Sequence, residues 1–237
     1  MINQSELIKV DLTHLCFPIG NQNHVEDFFC EKFRKVERSL YSLYSLGCNS
    51  YGLNFQTISS IYKKFCQSIF YYGLETNFIR KQCINKLNVR QNILLKNIFG
   101  LSKFSRSRAL MSVLRIKSTI QLYEEYKILF IKQLKKNTFT KEIYETLQGE
   151  YNSNVKTPKE SYFSIIRELN IKYNLNIDVN MNHNDVKESL EIIANHYGFE
   201  NEEILNKLKY VINITGTQLY DNQARMELKL LLCVNFN

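Results

Sequence analysis

Neighbouring carboxylates occur at Glu26-Asp27, Glu124-Glu125 and Glu202-Glu203. A two-metal phosphoryl-transfer centre would need acids that converge on one point. Each pair falls in the first turns or the body of a helical pattern, where acids suit the helix dipole. Residues one apart on a helix also point in different directions. The pairs therefore read as helix acids, and no aromatic-x-Asp-Asp hairpin accompanies them. The four histidines, at 14, 24, 183 and 196, are scattered without ligand spacing. The six cysteines, at 16, 30, 48, 66, 83 and 233, contain no C-x-x-C. They read as reduced, mostly buried thiols of an intracellular protein. No Gly-rich phosphate loop is present. These residues predict neither catalysis, nor a metal, nor a cofactor in this chain.

Chemistry of another kind is concentrated between Lys32 and Lys117. That stretch carries 16 Lys/Arg against two acids, Glu37 and Glu75, for a net charge of +14, while the whole chain is +8. Basic residues at Arg34, Lys35, Arg38, Lys63, Lys64, Lys86, Arg90, Lys103, Arg106 and Arg108 recur between apolar positions. Charged helix surfaces are ordinary, but a single sign is not. A surface of one sign repels itself and is suited to an external polyanion. Contacts of this type go to phosphates and carry little sequence information. Tyr41, Tyr44, Tyr71 and Tyr72 are candidates for stacking on a base or sugar.

The elements that must carry these residues are helical. Only two Pro and eight Gly occur in 237 residues, which favours long helices over a turn-rich sandwich. Residues 1–22 read as extended, with Leu7–Val10 and Leu15–Ile19 as strand or hairpin material. A first helix is expected after Asn23, with Glu26 completing a capping box. It should bury Phe29, Phe33, Val36, Leu40 and Leu43 and stop at Gly47. A second, from Asn54 or Thr57 to Gly73, should bury Ile58, Ile61, Tyr62, Phe65, Ile69 and Tyr72. A third spans about Phe78 to Phe99, burying Ile84, Leu87, Leu94, Leu95 and Ile98, with Gly100 as its stop. A basic, serine-rich loop over 101–108 leads to a short helix from Ala109 to Leu114. Ser118 to Gln121 is a capping box opening a helix through Leu134.

From Asn137 the composition turns acidic. Residues 137–237 sum to −4, against +12 for residues 1–136. Gly149–Lys156 is a linker candidate. Thr157-Pro158 marks a helix start, and helices are expected through Leu169, over Asp185–Tyr197, over Asn201–Ile212, and in the tail from Leu219. The fold class is mainly α: a helical bundle plus C-terminal helices, with a short β segment at the N-terminus. The divisions are an extended segment at 1–22, a basic helical region at 23–149 and an acidic helical region at 150–237. No apolar run approaches the length of a membrane span, so no membrane partner is expected.

The order of these features resembles the end of the palm, the thumb and the post-thumb of reverse transcriptases of non-LTR (LINE-type, jockey-like) retrotransposons. The resemblance rests on His14-Leu15-Cys16, the basic helix Lys32 to Leu46, Gly52-Leu53, and Tyr62…Cys66…Ile69…Tyr72-Gly73-Leu74-Glu75. Arg90-Gln91-Asn92 to Phe99 and Gly100-Leu101 complete it. It covers residues 12–136, just over half the chain. Cys16 stands where the family usually has Gly. By resemblance the region is a thumb that grips a template–primer duplex, RNA or RNA–DNA, with Arg34, Arg38, Lys63, Lys64, Lys86 and Arg90 facing it. The family's Mg²⁺, catalytic palm and fingers would lie upstream of Met1. The expectation is thus a thumb and C-terminal fragment of an RNA-directed DNA polymerase of a mobile element, inactive by itself, whose partners include the missing palm and fingers. The alternative is a helical protein-interaction module whose acidic C-terminal region masks the basic one.

Overall fold

The computed structural model describes residues 12–14, 17–134, 136–153, 161–177, 181–217, 226 and 230–232. α1 (Gln22–Ser42) starts earlier than expected. Asn21, not Asn23, is the N-cap, and its side chain accepts from the His24 amide at 2.9 Å. Glu26 therefore closes no capping box; it pairs instead with Arg80 at 2.6 Å. Phe29, Phe33, Val36 and Leu40 are buried as their spacing requires, with Val25 added. Each such side chain contributes about 1.5–3 kcal/mol relative to exposure. Leu43 falls just beyond the helix and is half-buried.

The second helix follows one path but changes register. α2 (Phe55–Ile61), capped by Asn54, runs into a π-helical turn (Tyr62–Cys66) and then α3 (Gln67–Tyr71). The Gln67 amide donates to the Tyr62 carbonyl, an i→i+5 bond that takes one extra residue into the turn. The buried face shifts accordingly. Cys66, Gln67 and Phe70 turn inward, whereas Phe65 and Tyr72, expected in the core, are exposed. α4 (Lys81–Ile98) begins three residues later than expected and buries all five of its predicted apolar residues.

α5 (Ser107–Val113) is followed by α6 (Thr119–Leu134). Ser118 accepts from the Gln121 amide at 3.1 Å, but the Gln121 side chain donates to Glu125 instead of returning to the cap, so the expected box is half formed. α7 (Thr138–Ser153) runs straight through Gly149, where a linker was expected. α8 (Tyr162–Tyr173) is capped by Ser161 in a reciprocal pair with Ser164. The expected start at Thr157-Pro158 lies outside the described residues, as do Leu7–Val10, Leu15-Cys16 and most of the tail. α9 (His183–Tyr197) is capped by Asn182 and stops at Gly198, and α10 (Glu202–Thr217) completes the described helices. At the N-terminus β1 (Leu12–His14) pairs antiparallel with β2 (Phe17–Ile19), Thr13 opposite Pro18. The chain is mainly α, with this two-stranded ribbon as the β segment.

α1 and α4 run parallel: Glu26 meets Arg80, Glu37 meets Arg90, and Tyr41 meets Asn97. The α2–π–α3 rod runs antiparallel to α1, with Ser39 at Cys66 and Phe33 against Phe70. α6 packs between α4 and α9, and α10 packs on α2 and α5. Buried side chains before and after residue 149 join one core, Ile165, Leu169, Ile193, Leu208 and Val211 among them.

α6 is the axis of a polar interior. Gln91 of α4, 1% exposed, donates to Tyr62 Oη (3.1 Å) and to the Lys117 carbonyl (3.0 Å), and its Oε1 accepts from Thr119 N (2.7 Å) and Oγ1 (2.9 Å). Every polar end is matched, which is what permits burial. Lys127 is fully buried. Its Nζ donates to the carbonyls of Glu75 (3.1 Å) and Asn77 (2.6 Å) and lies over the rings of Tyr123 and Tyr162.

The helix ends carry a signal of their own. Gly47, Gly73 and Gly100 hold positive φ, as does Asn174 after α8. Arg115, after α5, does so with a long side chain (φ 53°). Its amide donates to Ser112 O and that of Ile116 to Met111 O, the paired bonds of a Schellman cap. The left-handed conformation costs a non-glycine residue about 1–2 kcal/mol.

Candidate nucleic-acid interface

The ten basic residues singled out above fall in three places. The first is the seam between α1 and α4. Arg90 lies over the ring of Phe33 and grips Glu37 with two bonds (2.6 and 3.1 Å), while reaching the Cys30 carbonyl. Cys30, Arg34, Glu37 and Tyr41 form one line along α1 at helical spacing. Arg34 therefore stands on the line that Arg90 touches. Arg38 is one turn on from Arg34, and Lys86 is one turn before Arg90. Arg34 and Arg38 are 58% and 73% exposed and share the single carboxylate of Glu31. Lys86 is exposed. Lys35 is exposed one step further round α1, on the side where Ser39 meets Cys66.

Tyr41 and Tyr44 extend the seam as exposed rings, and Val89 and Ile93 of α4 are exposed beside the basic line. Tyr71 and Tyr72 differ. Tyr71 packs on Tyr126, and Tyr72 packs on Phe17 and under the Lys32 ammonium. Lys32 itself is buried and donates to the Tyr72 carbonyl. Tyr71 thus belongs to the fold, whereas Tyr72, though it packs on one side, is as exposed as Tyr41 and Tyr44 but lies away from the seam.

The second place is the loop after α4. Lys96 Nζ donates to the Lys103 carbonyl at 2.8 Å, which leaves the Lys103 ammonium over the exposed Phe104 ring. The Arg106 amide donates to Leu232 O, and its side chain is exposed. Arg108 turns to the protein's own backbone. Its guanidinium donates to the carbonyls of His196, Tyr197 and Gly198, closing the C-terminal end of α9. The third place is the π turn. Lys64 is exposed, while Lys63 donates to Leu114 O at 2.9 Å at the end of α5.

One pair of the acidic neighbours seen in the sequence, Glu124 and Glu125, pins the fold. Glu124, nearly buried, accepts from Lys172 (2.8 Å), Tyr173 (2.6 Å) and Tyr197 (2.8 Å). Glu125 accepts from Lys117 (2.5 Å) and Gln121 (2.9 Å). Among the described residues, no three His, Cys, Asp or Glu side chains converge. The described cysteines Cys30, Cys48, Cys66 and Cys83 are free thiols. No described helix is long and apolar enough to cross a membrane.

The acid partners of Arg34, Arg38 and Arg90 come from α1 itself. Glu145, Glu191 and Glu203 of the C-terminal helices pair with Lys141, Lys187 and Lys207, one turn along their own helices. Two cationic residues outside the predicted set line a cleft with Lys63: Arg115 and Lys209. The sequence signal for Arg115 was a helix end with no Gly or Asn to take the left-handed position. Comparison with protein-family models, with curated proteins and with solved structures finds no match.

Proposed function

We propose that the chain is a nucleic-acid-binding module that lays the α1–α4 seam along a phosphate backbone. The observation that carries this reading is the run of exposed cations Arg34, Arg38 and Lys86 beside the exposed rings Tyr41 and Tyr44, with one carboxylate, Glu31, shared by the two arginines. Cations on parallel helices can track phosphates, and flat rings next to them supply sequence-tolerant stacking. Arg90 acts by holding α4 to α1, so the seam keeps its spacing. Lys64, Lys103 and Arg106 are secondary contacts. The resemblance to a retrotransposon polymerase thumb makes an RNA or RNA–DNA duplex the favoured ligand inside the cell, and the palm and fingers of such an enzyme the favoured protein partners. The reading assigns this chain a grip and no catalytic step.

A variant with Arg34→Gln, Arg38→Gln and Lys86→Gln tests the assignment. All three side chains are exposed, so the fold should survive, checked by circular dichroism. Duplex affinity should fall for every sequence alike, and the log–log salt slope should shrink by about 3, near one per lost phosphate contact. Unchanged binding by the folded variant would remove the seam from the interface.

A further inference from the structure

A cleft of about 550 Å³ opens between the π turn, the end of α5 and α10. None of these elements contributes to the α1–α4 seam. Lys63, Arg115 and Lys209 line it together with Ser60 and Ser112, and among the described residues that line it none is a carboxylate. Val113, Leu205 and Ile212 supply an apolar part of its wall.

Three features set the cleft apart from an ordinary basic surface. Arg115 occupies the left-handed position that Gly73, Gly100 and Asn174 take after α3, α4 and α8, and its guanidinium makes no hydrogen bond or ion pair among the described residues. Residues held in such strained backbone cluster at ligand-binding sites, where the surrounding structure fixes them. The α5 carbonyl end would repel an anion, but Leu114 O is already covered by Ser59 Oγ (3.0 Å) and Lys63 Nζ (2.9 Å). Burial, then the neighbouring Arg115 and Lys64 charges, hold the Lys63 ammonium below the usual lysine range. An anion in the cleft would relieve that repulsion.

From this arrangement we infer that the cleft is a phosphomonoester site. Arg115, Lys63 and Lys209 hold the phosphate dianion, and Val113, Leu205 and Ile212 face the organic body. A guanidinium can take two phosphate oxygens at once, and two ammonium groups complete the charge. The volume is in the range of small-molecule sites and exceeds the needs of a bare phosphate. The source of the phosphate is either a small phosphorylated molecule or the 5′ end of a nucleic-acid strand.

Titrations of the full chain at constant ionic strength, followed by ³¹P and ¹⁵N NMR, test the site. The probes are inorganic phosphate, a nucleoside 5′-monophosphate, the same nucleoside without phosphate, and a short oligonucleotide with and without its 5′-phosphate. The expected result is saturable binding of the monophosphate, with a Kd of about 1 mM or tighter, and none of the bare nucleoside. A preference of the oligonucleotide for its phosphorylated form identifies a strand end as the source; no such preference identifies the small molecule. Arg115→Gly should keep or raise the thermal midpoint, because Gly suits that cap, yet weaken phosphate binding by about tenfold or more. Lys209→Ala, an exposed position, should weaken it likewise with the fold intact. Absence of saturable, phosphate-dependent binding, or full affinity in both folded variants, would overturn the site. Neither variant touches the seam, so this outcome is separable from the fate of the duplex reading.

Discussion

Lys127 shows how a single buried charge can be read out. Burial pushes its ammonium down to about 7 from the usual 10.5, against the pull of the Glu75 carboxylate. Between those values the unfolded chain holds a proton that the native chain lacks, so stability rises with pH across that window and is flat below it. Lys127→Met removes this contribution. The wild type should gain about 1 kcal/mol per pH unit relative to the variant between pH 7.5 and 9.5. Urea unfolding at several pH values measures it, and parallel wild-type and variant curves would show that Lys127 does not titrate there. None of this was legible in the sequence. Lys127 lies in a run that reads as helix surface, and its partners, Glu75, Asn77 and Tyr162, stand far from it along the chain. The same holds for Glu124 and Glu125, which look like solvated helix acids until Lys172, Tyr173 and Lys117 are brought to them.

At the scale of elements, most helices could be read from residue types, α7 being the exception, and their ends only in part. Asn54, Gly73 and Gly100 act where cap chemistry places them. The π turn could not be read, because one extra residue in a helix leaves no compositional mark. It reverses the roles of two phenylalanines, and that reversal is testable. Phe70→Ala should cost about 3–5 kcal/mol, since Phe70 is 2% exposed and meets Phe29 and Phe33. Phe65→Ser should change stability by no more than about 0.5 kcal/mol, since Phe65 is 63% exposed. Chemical denaturation of the two variants decides the point. A large loss at Phe65 with a small one at Phe70 would restore the unbroken helix.

For the whole molecule, the sign of the charge was legible and its distribution was not. The sequence places ten cations on three successive helices and the loop that follows, but packing spends Arg90 on Glu37 and Arg108 on the end of α9, and turns Lys63 away from the seam, toward Leu114 and the cleft beside it. What remains exposed is a shorter line on α1 and α4 with outlying contacts. The acidic C-terminal helices also have a packing role, because Ile165, Leu169, Ile193 and Leu208 are buried in the same core as Phe33 and Leu95. Deleting residues 137–237 should therefore give an insoluble or molten product, seen as loss of near-ultraviolet circular dichroism and gain of dye binding. A folded, soluble remnant with newly revealed nucleic-acid affinity would instead favour masking of the basic region by the acidic one.

The most direct measurement of the central claim is the affinity of the full chain for a duplex as a function of salt concentration. A seam lying along the backbone displaces counterions, so log affinity should fall linearly with log salt, with a slope of magnitude at least about 4. A flat dependence, or no binding at low salt, would contradict it.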